Sequence, residues 1–392
     1  VNGAFDAAAA LSALLDTAPP VKVEAAAWAA EHLAAPDPVG ADRDSVFWRE
    51  GWERCAGYGV QGTVVPEAYG GGGHDVLRAL LLLEGIGYGC PDHGLVFAVA
   101  SQMWGLQMAL LRFGDEAQKH RFLPGLCSGE LLGGFAMTEP DAGSDTGAIT
   151  TRAVRDGDDY VLTGHKAYIT LCPVSDVVVV FATTDPALGT WGLSAFLVEP
   201  DGRTAVVEPN REKMGMRTTP FGDLHLDGHR IPVTDRLGPE GAGASIFRTA
   251  LTSERAFIFA GQLGALERLL EDCIAFARDR RQFGHPIGDF QAVSHRIADM
   301  KVRHETARLT LYKAAILHEM GRPSEMASAI AKLHSSESAV ASTLDAVKLH
   351  GARGYLSELG VERHLRDAVG GLLYSGTVDV QRNILVRLLG LG

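Results

Sequence analysis

Apolar and polar positions follow three successive rhythms along the chain. From about residue 5 to 128, alanine- and leucine-rich segments repeat at three- and four-residue intervals, the spacing of one helix face. The helices predicted there are cut by Pro19-Pro20, by PEAYGGGG (66–73) and by GCPDHG (89–94). From about 130 to 240 the period shortens to two. DYVLTGHKAYIT, DVVVVFATT, LSAFLVEP, TAVVEP and DLHLDGHRIP are short β-branched or alternating runs bounded by Gly, Pro and Asp, which predicts an all-β insert, a barrel or sandwich. From about 243 helical spacing returns in long stretches interrupted by Pro286 and Pro323 alone. Helix, sheet, helix predicts a multidomain α+β chain divided as 1–129, 130–241 and 242–392.

Composition narrows the function classes. A chain of 392 residues is longer than one hydrophobic core usually organises. Acidic residues outnumber basic ones 48 to 36 and no Lys/Arg block stands out, so no nucleic-acid partner is expected. Cys55, Cys90, Cys127, Cys172 and Cys273 are isolated and odd in number. They form neither a disulfide framework nor a zinc pattern, which points to a reducing cytoplasm and no metal. The longest apolar runs, such as 177–181, are strand-sized, so no membrane span is expected. The leading residues lack the basic start of a signal peptide, and a first residue other than Met suggests processing.

Two glycine clusters invite nucleotide readings and resist them. LLLLEGIGYGC offers Gly85 and Gly87 but has Cys90 at the third glycine position, and Pro91 forbids the helix a dinucleotide fold needs there. YGGGGHD lacks a following Gly-Lys-Ser/Thr and reads as a flexible turn.

Three other segments carry candidate chemistry. FAMTEPDAGSDTG (135–147) is a Gly- and Asx-rich turn whose Thr138, Gly143 and Ser144 suit the polar edge of a ring or a phosphate. In GHKAYIT (164–170), Tyr168 and Thr170 share one strand face, where an aromatic and a hydroxyl can cover a ring and bond its edge. RDRRQFGHPIGDFQ (278–291) gathers Arg280, Gln282, Phe283 and Gln291 around a turn, an anion-plus-ring set. Each alone also reads as an ordinary loop, strand or helix end.

Together, in this order, the three segments resemble the acyl-CoA dehydrogenase family of flavoproteins. The resemblance covers nearly the whole chain and extends to VPEAYGG (65–71), FGDEAQKHRFLPGLCSGE (113–130), KMGMRTTP (213–220), GARGYLSELGVERHLRD (351–367) and YSGTVDVQRN. It implies an N-terminal helical domain, a middle β-barrel and a C-terminal four-helix bundle, with FAD held between them in a homotetramer built from dimers, or in a homodimer. It further implies that Phe135, Met137, Thr138, Gly143 and Ser144 line the flavin and the acyl entrance. Tyr168 takes the place of the family's usual tryptophan, and Thr170 bonds the flavin edge. Arg280, Gln282, Phe283 and Gln291 would reach the adenosine and diphosphate of a neighbouring subunit's FAD, and Thr377 and Asp379 would contact the diphosphate or adenine end of the cofactor. Lys348 stands where glutamine is usual and Ala352 where glycine is usual, and lysine can still donate to a phosphate.

The family's reaction removes hydrogens from neighbouring carbons of an acyl thioester, and it needs a buried carboxylate whose proton affinity desolvation raises. In most members that base directly follows the tyrosine of the last motif. Here Tyr374 is followed by Ser375, and a serine hydroxyl cannot do a carboxylate's work. No Gly-x-Ser-x-Gly elbow makes it a hydrolase nucleophile. A single helix predicted over 244–270 supplies the alternative. Glu254 interrupts an apolar stripe of Phe247, Ala250, Leu251, Phe257, Ile258 and Gly261, and a carboxylate on a buried face needs a partner or a task. Some members of the family carry their base here, beside an arginine as in Glu254-Arg255. The expectation is therefore Glu254 as base, Arg255, Tyr374 and Gly376 around the substrate, and the Ser375 backbone N–H on the thioester carbonyl.

The substrate implied is an acyl thioester on CoA or on an acyl carrier protein, the latter similar to dehydrogenases of polyketide and peptide-antibiotic secondary metabolism. An electron-transfer flavoprotein or oxygen would reoxidise the flavin. A short- or branched-chain acyl-CoA dehydrogenase of catabolism, or a catalytically silent FAD- and acyl-binding paralogue, are the alternatives.

Overall fold

The computed structural model describes residues 19–391; the helical spacing that begins near residue 5 lies partly outside them. The first part is helical: α1 (Pro20–His32), α2 (Pro38–Asp44), α3 (Arg49–Gly57), α4 (Val76–Gly89), α5 (His93–Ser101), α6 (Met108–Phe113) and α7 (Glu116–Ser128). Aspartates start four of them. Asp37, Asp75, Asp92 and Asp115 accept hydrogen bonds from the N–H groups of Gly40, Arg78, Leu95 and Gln118, which the first helical turn otherwise leaves unpaired. A π-helical turn, Gln102–Gln107, joins α5 to α6. The continuous stretch His93–Phe113 has a mean hydropathy of 1.4 and the length to cross a bilayer, against the expectation that no run approaches that length. Ser101, Gln102 and Gln107 break it up in sequence. In the fold, 83% of that window is buried, and Gln102 satisfies its amide on Leu126 and Gly133. It is a core helix.

The middle part is one eight-stranded sheet of β1 (Gly133–Ala136), β2 (Arg152–Asp156), β3 (Asp159–Thr170), β4 (Val177–Thr183), β5 (Leu193–Val198), β6 (Ala205–Val207), β7 (Phe221–Pro232) and β8 (Arg236–Leu237). The strands pair in the order β6-β7-β3-β2-β4-β5-β8, with β1 parallel to β4. The five runs predicted from β-branched content are strands; β1, β2 and β8, with little such content, went unread. In β4, Val178, Val180 and Ala182 pack inside the sheet with Leu162, Phe196 and Leu224. Val177, Val179 and Phe181 alternate to the other face against Leu106, Leu110, Phe122 and Ala250 from the helices. Burial on both faces accounts for its unbroken apolar run.

The last part contains α8 (Gly243–Phe257), α9 (Ala260–Asp279), α10 (Gln291–Glu319), α11 (Glu325–His350), α12 (Val361–Gly370) and α13 (Val378–Leu388). The single helix expected over 244–270 is two, broken at Ile258 and Phe259. Phe257, Ile258, Phe259 and Ala260 are all buried, and consecutive residues of a continuous helix point about 100° apart, so one helix cannot bury all four against one neighbour. The break lets each find a wall.

The two helical parts share a core in which Trp52, Leu80, Leu95 and Trp104 meet Phe257, Phe259, Leu311 and Tyr312. Here the glycines of LLLLEGIGYGC find their use. A Cβ on Gly87 would lie 1.9 Å from the Gly261 carbonyl oxygen, and one on Gly85 2.4 Å from that of Lys22, so α4 crosses α9 and α1 at backbone contact. Among them Glu84, fully buried, is paired with Lys22 (2.9 Å) and Arg308 (3.0 Å) and accepts a hydrogen bond from Tyr312 (2.6 Å).

Candidate active site

Two segments 121 residues apart in sequence meet at one hydrogen bond. The Ser375 hydroxyl, in the turn before α13, donates to Glu254 Oε1 on α8 at 2.9 Å. Burial pushes the Glu254 carboxyl above its ordinary pKa, while the Ser375 hydrogen bond and the Arg255 charge pull the other way. The turn is held in an unusual shape, with Ser375 (φ 54°) and Gly376 (φ 82°) both left-handed. Gln381 fastens it. Fully buried, it donates its side-chain amide to the carbonyls of Gly376 (2.8 Å), Ser375 (3.3 Å) and Thr377 (3.3 Å). Thr377 Oγ1 accepts from the Val380 N–H and caps α13. The Ser375 N–H donates to no group among the described residues.

Around Glu254 the walls are apolar. The Tyr374 ring lies 5.4 Å from Phe259 and 4.7 Å from Phe97, and burial raises its phenol pKa strongly. Phe135, at the end of β1, packs on Phe181 (5.1 Å) and Phe247 (6.1 Å). Gly105, inside the π-helical turn, separates Phe135 from the carboxylate. A Cβ there would sit 3.4 Å from Phe135 Cβ and 3.8 Å from Glu254 Oε2. Arg255 is buried, and its Nε has no hydrogen-bond partner among the described residues. Lys332, also fully buried, reaches the Leu372 carbonyl at 3.4 Å, and burial brings its ammonium down to about 8.

A second wall comes from the sheet. The loop after β1 is fastened by Glu139, which accepts from the Thr150 and Thr151 N–H groups (2.7 and 2.9 Å) and pairs with Lys166 of β3 at 2.9 Å. Lys166 also donates to the Met137 carbonyl. Lys166 and these donors hold the Glu139 carboxyl down at about 2, and burial brings the lysine to about 8, so both are charged at neutral pH. The next residues carry a bulge: the β3–β7 register shifts between Lys166 and Ile169, and Tyr168 has φ 61°. Tyr168 is thereby 49% exposed, Thr170 is half-buried, and Ile169 points inward between them. Arg211 lies 5.4 Å over the Tyr168 ring. Met137 is buried, Gly143 and Ser144 are exposed, and the hydroxyls of Thr138, Ser144 and Thr170 have no hydrogen-bond partner among the described residues.

The remaining expected site residues lie elsewhere. Arg280, Gln282, Phe283 and Gln291 are exposed around the hairpin of β9 (Arg281–Gln282) and β10 (His285–Pro286), with Phe283 91% exposed at φ 53°. Ile287 anchors this turn in a cluster with Ala346 and Leu349 of α11, which brings it beside exposed Lys348 and Ala352. Lys348 contacts Asp345 at 3.5 Å, and Asp379 contacts Arg382 at 3.3 Å. Sequence reading passed over Gly105, Glu139, Lys166, Lys332 and Gln381. Glu139, Lys166 and Gln381 stand inside motifs already singled out, among other polar residues that gave them no distinguishing signal.

The acyl-CoA dehydrogenase N-terminal, middle and C-terminal domain families match residues 21–130, 134–229 and 241–390. The chain is 42% identical over 363 residues to an L-prolyl-[peptidyl-carrier protein] dehydrogenase of Pseudomonas fluorescens, covering 92% of this chain and 95% of that one. Among solved structures it is similar to the prolyl acyl carrier protein oxidase AnaB, at 41% identity and a TM-score of 0.93 over 95% of this chain and 98% of that one. It is also similar to PigA with FAD and proline, at 36% identity and a TM-score of 0.92 over 95% and 97%.

Proposed function

Because the chain belongs to the acyl-CoA dehydrogenase family, oxidoreductases acting on CH–CH bonds, we propose that it uses FAD to dehydrogenate a prolyl or similar small acyl group carried as a thioester on a peptidyl-carrier protein, with Glu254 as the base. The carrier and the prolyl group rest on the similarity to prolyl-carrier dehydrogenases. The assignment of the base rests on the 2.9 Å Ser375–Glu254 hydrogen bond, which puts the helix carboxylate against the loop that would otherwise supply one.

The residues present suit a flavin. Tyr168 offers a ring that is 49% exposed, with Arg211 5.4 Å over it, and Thr138, Ser144 and Thr170 offer hydroxyls that have no partner among the described residues. Phe135, Met137 and Gly143 complete that wall, with Thr377 and Asp379 toward the diphosphate. Arg280, Gln282, Phe283, Gln291, Lys348 and Ala352 would serve a second copy's cofactor. Bound there, FAD supplies the acceptor for the β-hydride.

The protein's own groups do the rest. Glu254, its proton affinity raised by burial, takes the α proton; Ser375 Oγ keeps one carboxylate oxygen engaged and so aims the other. The free Ser375 N–H polarises the thioester carbonyl and stabilises the enolate charge as it forms. Tyr374, Phe97 and Phe135 keep water out, which strengthens both effects.

Anaerobic titration of the holoenzyme tests the reading. A prolyl-carrier thioester should bleach the flavin in the wild type. Glu254→Gln should retain FAD and show no bleaching. Bleaching at the wild-type rate in that variant removes Glu254 from the mechanism.

A further inference from the structure

A glycine inside a buried helix usually has a neighbour that explains it. A Cβ on Gly87 would lie 1.9 Å from the Gly261 carbonyl oxygen, and one on Gly264 1.8 Å from that of Glu84, so crossing backbones require both glycines. Gly105 has no such neighbour. It is buried in the π-helical turn Gln102–Gln107, and its backbone is not left-handed. A Cβ there would meet Phe135 Cβ at 3.4 Å, Phe135 Cγ at 3.7 Å and Glu254 Oε2 at 3.8 Å. Those are contact distances and not overlaps. A helical glycine weakens folding about two- to fivefold relative to alanine, and here alanine would fit. Neither backbone shape nor packing accounts for the glycine.

The space that a methyl at 105 would fill lies beside the reacting group. The Ser375 hydroxyl engages Glu254 Oε1, which leaves Oε2 for the α proton, and Oε2 is the oxygen that Gly105 faces. On the other side stands Phe135, of the wall that suits the flavin. A substrate α carbon has to come within about 3–3.5 Å of its base. A methyl 3.8 Å from that base would compete with whatever else the α carbon carries. The turn is not free to move aside. Gln102 donates to the Leu126 carbonyl (3.2 Å) and accepts from the Gly133 N–H (2.8 Å), and Gln107 donates to the Gln61 carbonyl (3.1 Å). Single π-turns of this kind recur at functional sites. We propose that Gly105 is a specificity-determining residue, which keeps room beside Glu254 Oε2 for a substituent on the α carbon. The acyl groups selected are those with a ring or a branch at that carbon. An unbranched acyl group, with only hydrogen there, has no use for the room. The inference rests on the reading of Glu254 as base and adds to it the class of acyl group.

Binding without turnover isolates the effect. FAD-loaded E254Q, titrated with peptidyl-carrier protein bearing prolyl, 2-methylbutyryl or butyryl thioesters, reports each dissociation constant through the shift in flavin absorbance. Adding G105A should weaken the prolyl and 2-methylbutyryl forms at least about tenfold, the lower end of what one methylene discriminates, and change the butyryl form less than about twofold. In thermal unfolding, FAD-loaded G105A should match or exceed the wild-type midpoint. Equal weakening of all three thioesters, or of none, overturns the proposal. A lower midpoint does so too, because it would make the glycine a packing residue. Bleaching of E254Q at the wild-type rate removes Glu254 as base, and the three bleaching rates with and without G105A then judge the glycine on its own. Binding of none of the three fails the thioester reading and the proposal with it.

Discussion

On the proposed reading, Glu254 of α8 takes the task that a carboxylate at position 375 would have, and the Ser375 hydroxyl touches it. Ser375 donates to the ionised form of Glu254, so its loss removes a force that lowers that pKa. Ser375→Ala should therefore move the acid limb of the kcat/KM profile for flavin reduction to higher pH, and cost activity most on the acid side. A limb that stays in place would reduce the hydrogen bond to a bystander. Because the two side chains touch, Ser375→Glu in the Glu254→Gln background should restore part of the flavin bleaching in anaerobic stopped flow. At this scale the sequence showed that a carboxylate was missing from one position and present on an apolar stripe at another. It did not show their contact, since nothing local in either segment encodes a pairing across 121 residues.

Elements bring these residues together, and their legibility varied with how local their causes are. The run DYVLTGHKAYIT coincides with β3 because β-branched alternation is a local signal, yet the bulge at Tyr168 arises from the register with β7. The break between α8 and α9 answers to packing and carries no turn residue to announce it, and the π-helical turn at Gln102–Gln107 holds Gly105 alone. The loop after β1 depends on the buried Glu139–Lys166 pair. Glu139→Gln should lower stability by about 3–5 kcal/mol in thermal unfolding, because it strands a buried lysine charge. Lys166→Met added to it should recover part of the loss. The pair also sets an acid limit. Glu139 is held at about 2 against an ordinary 4.5, so its contribution is complete above the ordinary value and drains away as pH falls toward 2. Chemical denaturation followed between pH 5 and pH 3 should show this slope in the wild type and a shallower one in the double variant.

For the whole molecule, the boundaries read from the sequence mark changes of grammar, while the cores cross them. Trp104 and Phe257 belong to one cluster, and Glu84, Lys22 and Arg308 tie three distant helices by charge. The apolar groups left outside have their own implication. Phe283, Tyr355, Leu356 and Leu359 are exposed large side chains, and Phe283 lies in the turn proposed to meet a second copy's FAD. Light scattering should find a dimer or tetramer. Phe283→Asp should shift the mass downward and weaken FAD retention on dilution together. A monomeric, FAD-saturated wild type would contradict that placement.

The hold of Gln381 on the Ser375–Gly376–Thr377 carbonyls separates two properties that look like one. The backbone of the turn is held by a glutamine six residues downstream, through carbonyls and not through the side chain at 375. That position is thus an open slot in a fixed frame. On the proposed reading, the proton acceptor can sit in the loop or on the helix while the same turn presents the amide to the carbonyl. An engineer can vary the slot for reactivity with the frame as a constant.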